Sequence, residues 1–392
     1  MQANFHRCFQ AHSAFVVTCF DIFRRRHNAS KTRMQTTRSN WETTKEKLLS
    51  LTPEELTKAA AEAESHRPIS DPRIKELLKL ISHIGATAAG SDDKKSYMLT
   101  HLKSAIVLHG CPFIFFTISP GERHSPLALV YAGESIDIRD FNPQAFSASE
   151  RLQTMLKNPL AVVDYFHNLV KTIIERCFKG GMFGELAHYY RRIEYQGRFT
   201  PHIHMAVRPS FYRNTDKPAL GEGRQVSAGD ARRAKSDPDF CQRFLHYVSQ
   251  IVDESMPEAP EDCSSVEIPD TSSSERPGGR LFRPFVDPDD PDFERLLAKD
   301  LLDIVSSKQL HSPTHFPTCY KYGSKKCRTR FPRKIVAFTG IDPTTGLLRI
   351  RRNHHWVNNY NRWVSIITRA NHDCQILLTQ VHALAIIHYV MK

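Results

Sequence analysis

Apolar and polar positions follow two different periods along the chain, and these predict helices first and strands later. Residues 52–65, 71–85 and 92–109 carry helix-capping residues or apolar residues at helical spacing, so three helices are expected before Gly110. Residues 1–40 show no clear period. Residues 113–120 are almost continuously apolar and end in a proline, which is typical of a buried central strand.

The next elements predict an antiparallel sheet with helices packed against it. A helix is expected after Asn158-Pro159 and ends at Gly180-Gly181, and two strands then flank a short turn at Gly197. Further helices are predicted over 240–251, 293–305 and 375–392, and a hairpin joins 334–338 to 347–351. This order indicates the α+β class.

Charge is distributed unevenly. The chain has 54 Lys and Arg against 42 Asp and Glu, which favours a polyanionic partner, nucleic acid before an anionic membrane surface. Residues 253–300 hold 14 acidic and 5 basic residues, whereas residues 319–369 hold 12 basic and one acidic. We therefore divide the chain into a mostly helical region (1–109), a core (110–252), a flexible acidic insertion (253–292) and a basic region (293–392).

Targeting and energy-coupling signals are missing from the sequence. The longest N-terminal apolar run, residues 14–22, is too short to span a bilayer and precedes three arginines, so we expect neither a signal peptide nor a transmembrane helix. The nine scattered cysteines favour a reducing, intracellular compartment. No Gly-x4-Gly-Lys-Ser/Thr loop occurs, so ATP-driven work is not predicted.

A His-x-His pair is the first candidate for chemistry. On a strand His202 and His204 share a face, while Glu194 and Gln196 share a face of the preceding strand. Two imidazoles and one oxygen ligand from either residue could hold Mg²⁺ or Mn²⁺ as a Lewis acid for phosphodiester chemistry. The alternative, one packed and one exposed histidine, is the commoner meaning of an isolated pair.

A second candidate combines histidine and cysteine with a dense basic run. Nitrogen and sulfur ligands for a structural zinc stand at finger-like spacing that matches no standard finger: His311, His315, Cys319 and Cys327. Ordinary loop thiols are the alternative. Basic residues near aromatic ones suit phosphate contacts and base stacking, although a solvated face would look similar: Lys325, Lys326, Arg328, Arg330, Arg333 and Lys334.

A set of ordered motifs runs from about Gly110 to the last residue. They are Gly110-Cys111-Pro112-Phe113, Phe116-Thr117-Ile118-Ser119-Pro120, Asn158-Pro159, Gly181-Met182-Phe183-Gly184, Glu194-Tyr195-Gln196-Gly197-Arg198, His202-Ile203-His204-Met205, Thr318-Cys319-Tyr320-Lys321, Cys327-Arg328, Phe331-Pro332-Arg333, Asn371-x-Asp373 and Tyr389-Val390-Met391-Lys392. With these motifs the chain resembles the N-terminal helicase-like, replication-initiator region of eukaryotic Helitron transposases. The block from Glu194 to His204 is the most specific part.

The resemblance implies the His-hydrophobic-His (HUH) nuclease fold and a nuclear protein that nicks and joins single-stranded DNA in rolling-circle transposition. It implies that His202 and His204 bind a divalent cation, with Glu194, or alternatively Gln196, as third ligand. Tyr389 on a helix would attack the scissile phosphate and form a 5′-phosphotyrosine.

The sequence departs from the family in two respects. The family motif Tyr-x-x-Lys-Tyr stops here at Lys392, and the ATP-dependent helicase of the family is missing. We therefore expect a copy truncated before the helicase. Two other interpretations stay open: a catalytically inactive remnant that only binds nucleic acid, and a zinc-bearing nucleic-acid adaptor. The oligomeric state is not predicted.

Overall fold

A computed structural model describes most of the chain. The described residues are 15–36, 41–86, 88, 91–142, 144–195, 201–210, 238–259, 285–315, 319–320, 326–342, 344–345 and 347–391. They contain twelve α-helices and a four-stranded antiparallel sheet, which confirms the α+β class. The chain divides into two compact units, one formed by residues 8–105 and the other mainly by residues 106–390.

The described residues of the unit 8–105 are mostly helical. Its elements are α1 (Phe15–Thr36), α2 (Trp41–Leu49), α3 (Pro53–Glu64), α4 (Pro72–Gly85) and most of α5 (Asp92–His109). The three predicted helices, α3 to α5, are confirmed. Helices α1 and α2 were not predicted, because their sequences are rich in polar and basic residues and show no clear apolar face.

Capping explains why α3 and α4 begin where they do. The Thr52 hydroxyl accepts a hydrogen bond from the Glu55 amide, and the Glu55 carboxylate accepts one from the Thr52 amide. The Asp71 carboxylate accepts from the Arg73 amide at 2.7 Å. The Arg73 guanidinium also contacts the carboxylates of Asp71 and Glu55 at 2.7 and 2.6 Å, so the starts of the two helices are joined.

The larger unit is built on the four-stranded sheet. Its strands are β1 (Ile114–Ser119), β2 (Glu185–Tyr195), β3 (Pro201–Ser210) and β6 (Asn371–Ile376), in the order β2-β3-β1-β6. The predicted buried strand and the two strands on either side of Gly197 are therefore confirmed, and the latter are longer than the motif indicated. Gln375 and Ile376 belong to β6, so the prediction of a helix from residue 375 is wrong at its start: the C-terminal helix, α12, spans Gln380–Met391.

One face of the sheet is apolar and carries the main core. Phe116 and Ile118 of β1 and Ile203 of β3 are fully buried there. They pack against the layer of α8 (Pro159–Thr172), its π-helical continuation Ile173–Phe178, and α9 (Pro238–Ile251). Because side chains alternate along a strand, this packing directs His202 and His204, on either side of Ile203, to the opposite face.

Helix α12 packs against part of that opposite face. Ala383 and Val390 of α12 form a small cluster with Phe115 of β1 and Leu377. Other helices pack mainly against one another. The helices α6 (Pro126–Tyr131) and α7 (Ala148–Lys157) pack with α8, and α10 (Phe293–Lys308) packs with α11 (Arg362–Thr368), which also contacts β6. Each of these contacts lies within the larger unit.

The acidic and basic regions are described in part. At the start of the predicted acidic insertion Asp253 pairs through its backbone with Tyr360, and Met256 is buried, whereas residues 260–284 lie outside the described residues. The predicted helix at 293 is confirmed as α10. The hairpin is confirmed in position, as β4 (Gly340–Ile341) with β5 (Leu348–Arg349), but its first strand begins after the predicted residues 334–338, of which Val336 forms an isolated bridge to Arg352. Over the described ranges, no helix is both long and apolar enough to cross a membrane.

Candidate functional site

Three side chains on the paired strands β2 and β3 converge on one point. Nε2 of His202 and Nε2 of His204 lie 3.0 Å apart, and each lies 3.4 Å from Oε2 of Glu194. Both histidines are buried, at 7% and 3% exposure, while Glu194 is half-buried. The structure therefore brings together three of the residues singled out from the sequence. Gln196, the alternative third ligand, lies outside the described residues.

Strand register explains the convergence. Glu194 stands directly opposite His202 in the β2–β3 ladder, and His204 follows two positions along the same face. A shift of one residue in either strand would send one partner to the apolar core face. The buried Ile203 between the two histidines makes that shift costly, because it would move an isoleucine out of the core and an imidazole into it.

The environment keeps both imidazoles neutral. Burial lowers the pKa of His202 below its ordinary value, and the opposing effect of Glu194 is smaller. Burial also lowers the pKa of His204, and the neighbouring His202 adds to this effect. A neutral imidazole offers a lone pair, so two nitrogens and one carboxylate oxygen are available to a cation near neutral pH.

Strand β1 orients His204 from its other side. The Thr117 hydroxyl lies 2.9 Å from Nδ1 of His204, and this contact leaves Nε2 directed toward Glu194 and His202. The Phe115 ring stacks against the His204 ring at 5.7 Å. Within the described ranges Nδ1 of His202 is buried and has no hydrogen-bond partner. The pair is thus asymmetric at Nδ1: that atom has a hydrogen-bond partner in His204 and none in His202.

Tyr389 approaches the same cluster from α12. Its ring lies edge-on to that of His204, with centroids 5.4 Å apart, and the side chain is 52% exposed. Arg192 of β2 connects the helix to the cluster, because its guanidinium donates to the Val390 carbonyl at 2.6 Å and lies 3.8 Å from Glu194. The candidate nucleophile therefore borders the three candidate ligands.

The four candidate zinc ligands form a second cluster. The ligand atoms of His311, His315, Cys319 and Cys327 all lie within 4.8 Å of one another. Nε2 of His311 is 3.4 Å from Sγ of Cys319 and 3.7 Å from Sγ of Cys327. Burial raises the pKa of the Cys327 thiol, but hydrogen bonds from Thr329 and from the Phe331 amide outweigh this effect, so the pKa is lowered overall.

The predicted basic residues divide into two groups. Four of them are exposed: Lys326, Arg328, Arg330 and Lys334. Arg333 is largely enclosed; it contacts the amide oxygens of Asn358 and Asn359 and lies over the Phe331 ring at 4.3 Å. Its guanidinium is therefore committed to neighbouring residues of the protein. Lys325 lies outside the described residues.

The sequence pattern of one family, described as the Helitron helicase-like domain at the N-terminus, matches residues 1–207, just over half of the 392 residues. The chain belongs to this family. It is accordingly a Helitron-related transposition protein. No curated protein matches the chain. The matched part of this Helitron-type protein contains Glu194, His202 and His204, whereas Tyr389 and the histidine–cysteine cluster follow it.

Three residues in or next to the cluster of this Helitron-type protein were assigned no role from the sequence. They are Thr117, Arg192 and Asp373. Asp373 stands opposite Thr117 across the β1–β6 pair, where burial raises the pKa of its carboxyl and the Gln375 amide donates to it. In strand β6 the buried His372 and Cys374 alternate with more exposed polar residues. This alternation was the one sequence signal for the strand, and it is weak because the strand has only six residues.

Proposed function

We propose that this Helitron-type protein nicks and joins single-stranded DNA through a covalent phosphotyrosine intermediate. The observation that carries the proposal is the convergence of Glu194, His202 and His204 beside the Tyr389 ring. A nucleophile next to a cluster of neutral nitrogen and anionic oxygen donors is the arrangement that metal-assisted phosphoryl transfer requires. The family relationship supports the same chemistry.

The three residues fit a divalent cation. Two ligands at right angles, each about 2.1 Å from Mg²⁺, are separated by about 3 Å. The two Nε2 atoms are 3.0 Å apart, and the Glu194 oxygen is slightly farther from each, at 3.4 Å. Imidazole suits Mn²⁺ better than Mg²⁺, and three protein ligands leave further positions open. When bound, the cation would withdraw charge from a phosphate oxygen of the DNA.

The chain itself supplies the nucleophile. The Tyr389 oxygen forms a bond to the phosphorus, the bond from phosphorus to the 3′ oxygen breaks, and the phenolic proton passes to solvent. The departing 3′ oxygen takes up a proton and becomes a hydroxyl. One phosphodiester is thus exchanged for another. A 3′-hydroxyl can therefore attack the phosphotyrosine and rejoin DNA without ATP, because the number of phosphodiester bonds is conserved.

Single-stranded DNA would be held by the exposed members of the basic run. Lys326, Arg328, Arg330 and Lys334 present cationic groups to solvent, and such groups contact phosphates without regard to sequence. Arg333 is better placed to support this surface than to touch DNA, since its guanidinium contacts Asn358 and Asn359. Action on chromosomal DNA would require the nuclear location that the family resemblance implies.

The direct test is capture of the covalent intermediate. Labelled single-stranded DNA and Mn²⁺ are incubated with the full chain, and protein-linked label is measured after denaturation. Tyr389→Phe should abolish the adduct, whereas Tyr131→Phe, at another partly exposed helix position, should keep it. An adduct that survives Tyr389→Phe refutes this assignment of the nucleophile.

A second function is favoured by one observation, the exposed basic surface. If no adduct forms with Mn²⁺ or Mg²⁺ while DNA binding is retained and weakens steeply with salt, the chain is a remnant that only binds nucleic acid. The two functions are therefore separated in one set of samples, because adduct formation and binding are measured independently.

A further inference from the structure

We infer that His311, His315, Cys319 and Cys327 form a tetrahedral site for a structural zinc ion, separate from the Glu194–His202–His204 cluster. The inference goes beyond nicking, because it concerns how the basic region holds its shape. The four residues come from two segments without regular secondary structure, residues 309–315 and 326–333, and from the short stretch 319–320 between them.

The distances fit zinc. A nitrogen about 2.05 Å and a sulfur about 2.3 Å from a tetrahedral ion lie about 3.5 Å apart. Nε2 of His311 is 3.4 Å from Cys319 Sγ and 3.7 Å from Cys327 Sγ. Since all four ligand atoms lie within 4.8 Å of one another, each can reach a common centre. Such an arrangement is difficult to explain by packing alone, because it brings two thiols and two imidazoles together.

The surroundings of the two histidines favour metal coordination. Nδ1 of His311 lies 2.8 Å from the Ser312 carbonyl and can only donate to it, so Nε2 carries the lone pair that faces the two sulfurs. Among the described residues Nδ1 of His315 is buried without a hydrogen-bond partner. A buried polar atom without a partner is costly, and coordination would remove that cost.

The backbone around the cluster also favours a bound ion. His315 and Arg330 have φ angles of 45° and 63°, a left-handed conformation that is uncommon for residues other than glycine. In the part of the chain that the structure describes, few backbone contacts join the segments, among them the Arg328 amide donating to the Cys319 carbonyl at 2.8 Å. A metal that links four residues over a 17-residue span would offset the entropy of closing these loops.

The chemistry of the donors selects the ion. Two thiolates are soft ligands that disfavour Mg²⁺, Ca²⁺ and Mn²⁺ and favour zinc. Four protein ligands leave no open position for substrate, so the site is structural rather than catalytic. Cys327 lies between Lys326 and Arg328, and an ion bound there would hold the backbone that carries both basic side chains. The importance of this effect for DNA binding rests on the proposed function, whereas the zinc site itself does not.

Metal analysis of the purified full chain tests the site. After treatment with a mild chelator, we expect about one zinc per chain in the wild type and in His202→Ala. Cys327→Ser should lose roughly 80% or more of this zinc, because one of the four ligands is removed. Cys241→Ser is the matched control, since Cys241 is a half-buried thiol outside the cluster, and it should keep the metal. Circular dichroism checks that each variant is folded.

Replacement of zinc by Co²⁺ gives a second measurement that does not depend on a variant folding. The wild type should show the intense visible bands of tetrahedral cobalt and the near-ultraviolet absorption of cobalt–thiolate bonds. A wild type without zinc and without these bands overturns the inference, as does a folded Cys327→Ser that keeps its zinc. Failure of DNA nicking leaves both measurements unaffected, so the two proposals fail separately.

Discussion

The two candidate metal clusters are held together in opposite ways. Glu194, His202 and His204 stand on two paired strands, so backbone hydrogen bonds and an apolar core on the far side set their positions. His311 and Cys327 stand in segments without regular structure. In the first cluster the fold positions the ligands before any ion binds, whereas in the second an ion would help to position the fold.

The two clusters also differ in the ligand atoms that they offer. The strand cluster (Glu194, His202 and His204) offers two nitrogens and one oxygen, an incomplete ligand set that suits a hard cation with open positions. It borders the half-exposed Tyr389. The loop cluster (His311, His315, Cys319 and Cys327) offers two nitrogens and two sulfurs, which would fill all four positions of a tetrahedral ion. Rigid positioning with an incomplete ligand set suits chemistry, and a complete set in segments without regular structure suits a structural role. The predictions below separate these two roles, in order of decreasing effect.

Removal of one strand ligand should have the largest effect. His204→Ala is expected to lower the rate of adduct formation with Mn²⁺ by about 1000-fold, because roughly 4 kcal/mol of transition-state stabilisation depends on the cation. Zinc content and most DNA binding should not change. His188→Ala, on the partner strand β2 and outside the cluster, is the control. Equal loss of nicking and DNA binding in a folded His204→Ala would contradict the metal role.

The Thr117 hydroxyl provides a finer test of the strand cluster. Thr117→Val keeps the shape but removes the hydrogen bond to Nδ1 of His204, so we expect metal affinity to fall by about 10- to 100-fold. The measurement is the Mn²⁺ concentration that gives half-maximal adduct formation. Thr117→Ser should restore it, and Ser119→Ala on the same strand should leave it unchanged. A lower maximal rate at unchanged Mn²⁺ dependence would speak against a positioning role.

Acid should weaken the contact between the sheet and the segment that leads into the loop cluster. His372 of β6 accepts a hydrogen bond from the Asn361 amide at 2.8 Å and contacts Gln309, which precedes the loop cluster. Burial lowers the pKa of His372 to about 4. The unfolded chain, with a histidine pKa near 6.5, binds a proton that the folded chain does not, so the free energy of unfolding decreases as pH falls from about 6.5 toward 4.

The contribution of this histidine between pH 7 and pH 5 is about 2 kcal/mol. Urea denaturation at the two pH values measures it, and His372→Gln should show a smaller decrease than the wild type by about that amount. Burial also lowers the pKa of other histidines, His354 among them, so the comparison with the variant is what isolates His372. The same pH dependence in both proteins would exclude His372 as the titrating group.

Sequence reasoning succeeded where the signal was local. The apolar run of β1, the caps of α3 and α4 and the alternation in β3 each lie within about a dozen neighbouring residues, and each predicted its element. The sequence also indicated that His202 and His204 share a face. Strand β6 was missed because it alternates Cys374 with Asp373 and Gln375, which satisfy no simple hydrophobic pattern.

Contacts between distant segments could not be predicted in this way. Thr117 and His204 are 87 residues apart, and Arg192 and Val390 are 198 apart, so no period links them. Only the strand order β2-β3-β1-β6 brings Thr117 between the histidines and β6. The burial of Arg333 could not be predicted either, because a run of basic residues does not show which guanidinium contacts asparagine side chains of the protein.

The smallest expected effect concerns the basic surface next to the loop cluster. Arg328→Gln and Arg330→Gln should each weaken single-stranded DNA binding several-fold and reduce the slope of log affinity against log salt by about 0.7, because each removes one phosphate contact. Arg176→Gln, an exposed arginine on the π-helix, is the control and should leave the slope unchanged. If zinc fixes this surface, Cys327→Ser should reproduce part of the loss although it removes no charge. An unchanged slope in both arginine variants would move the DNA contact away from this surface and leave the loop cluster with a role in stability alone.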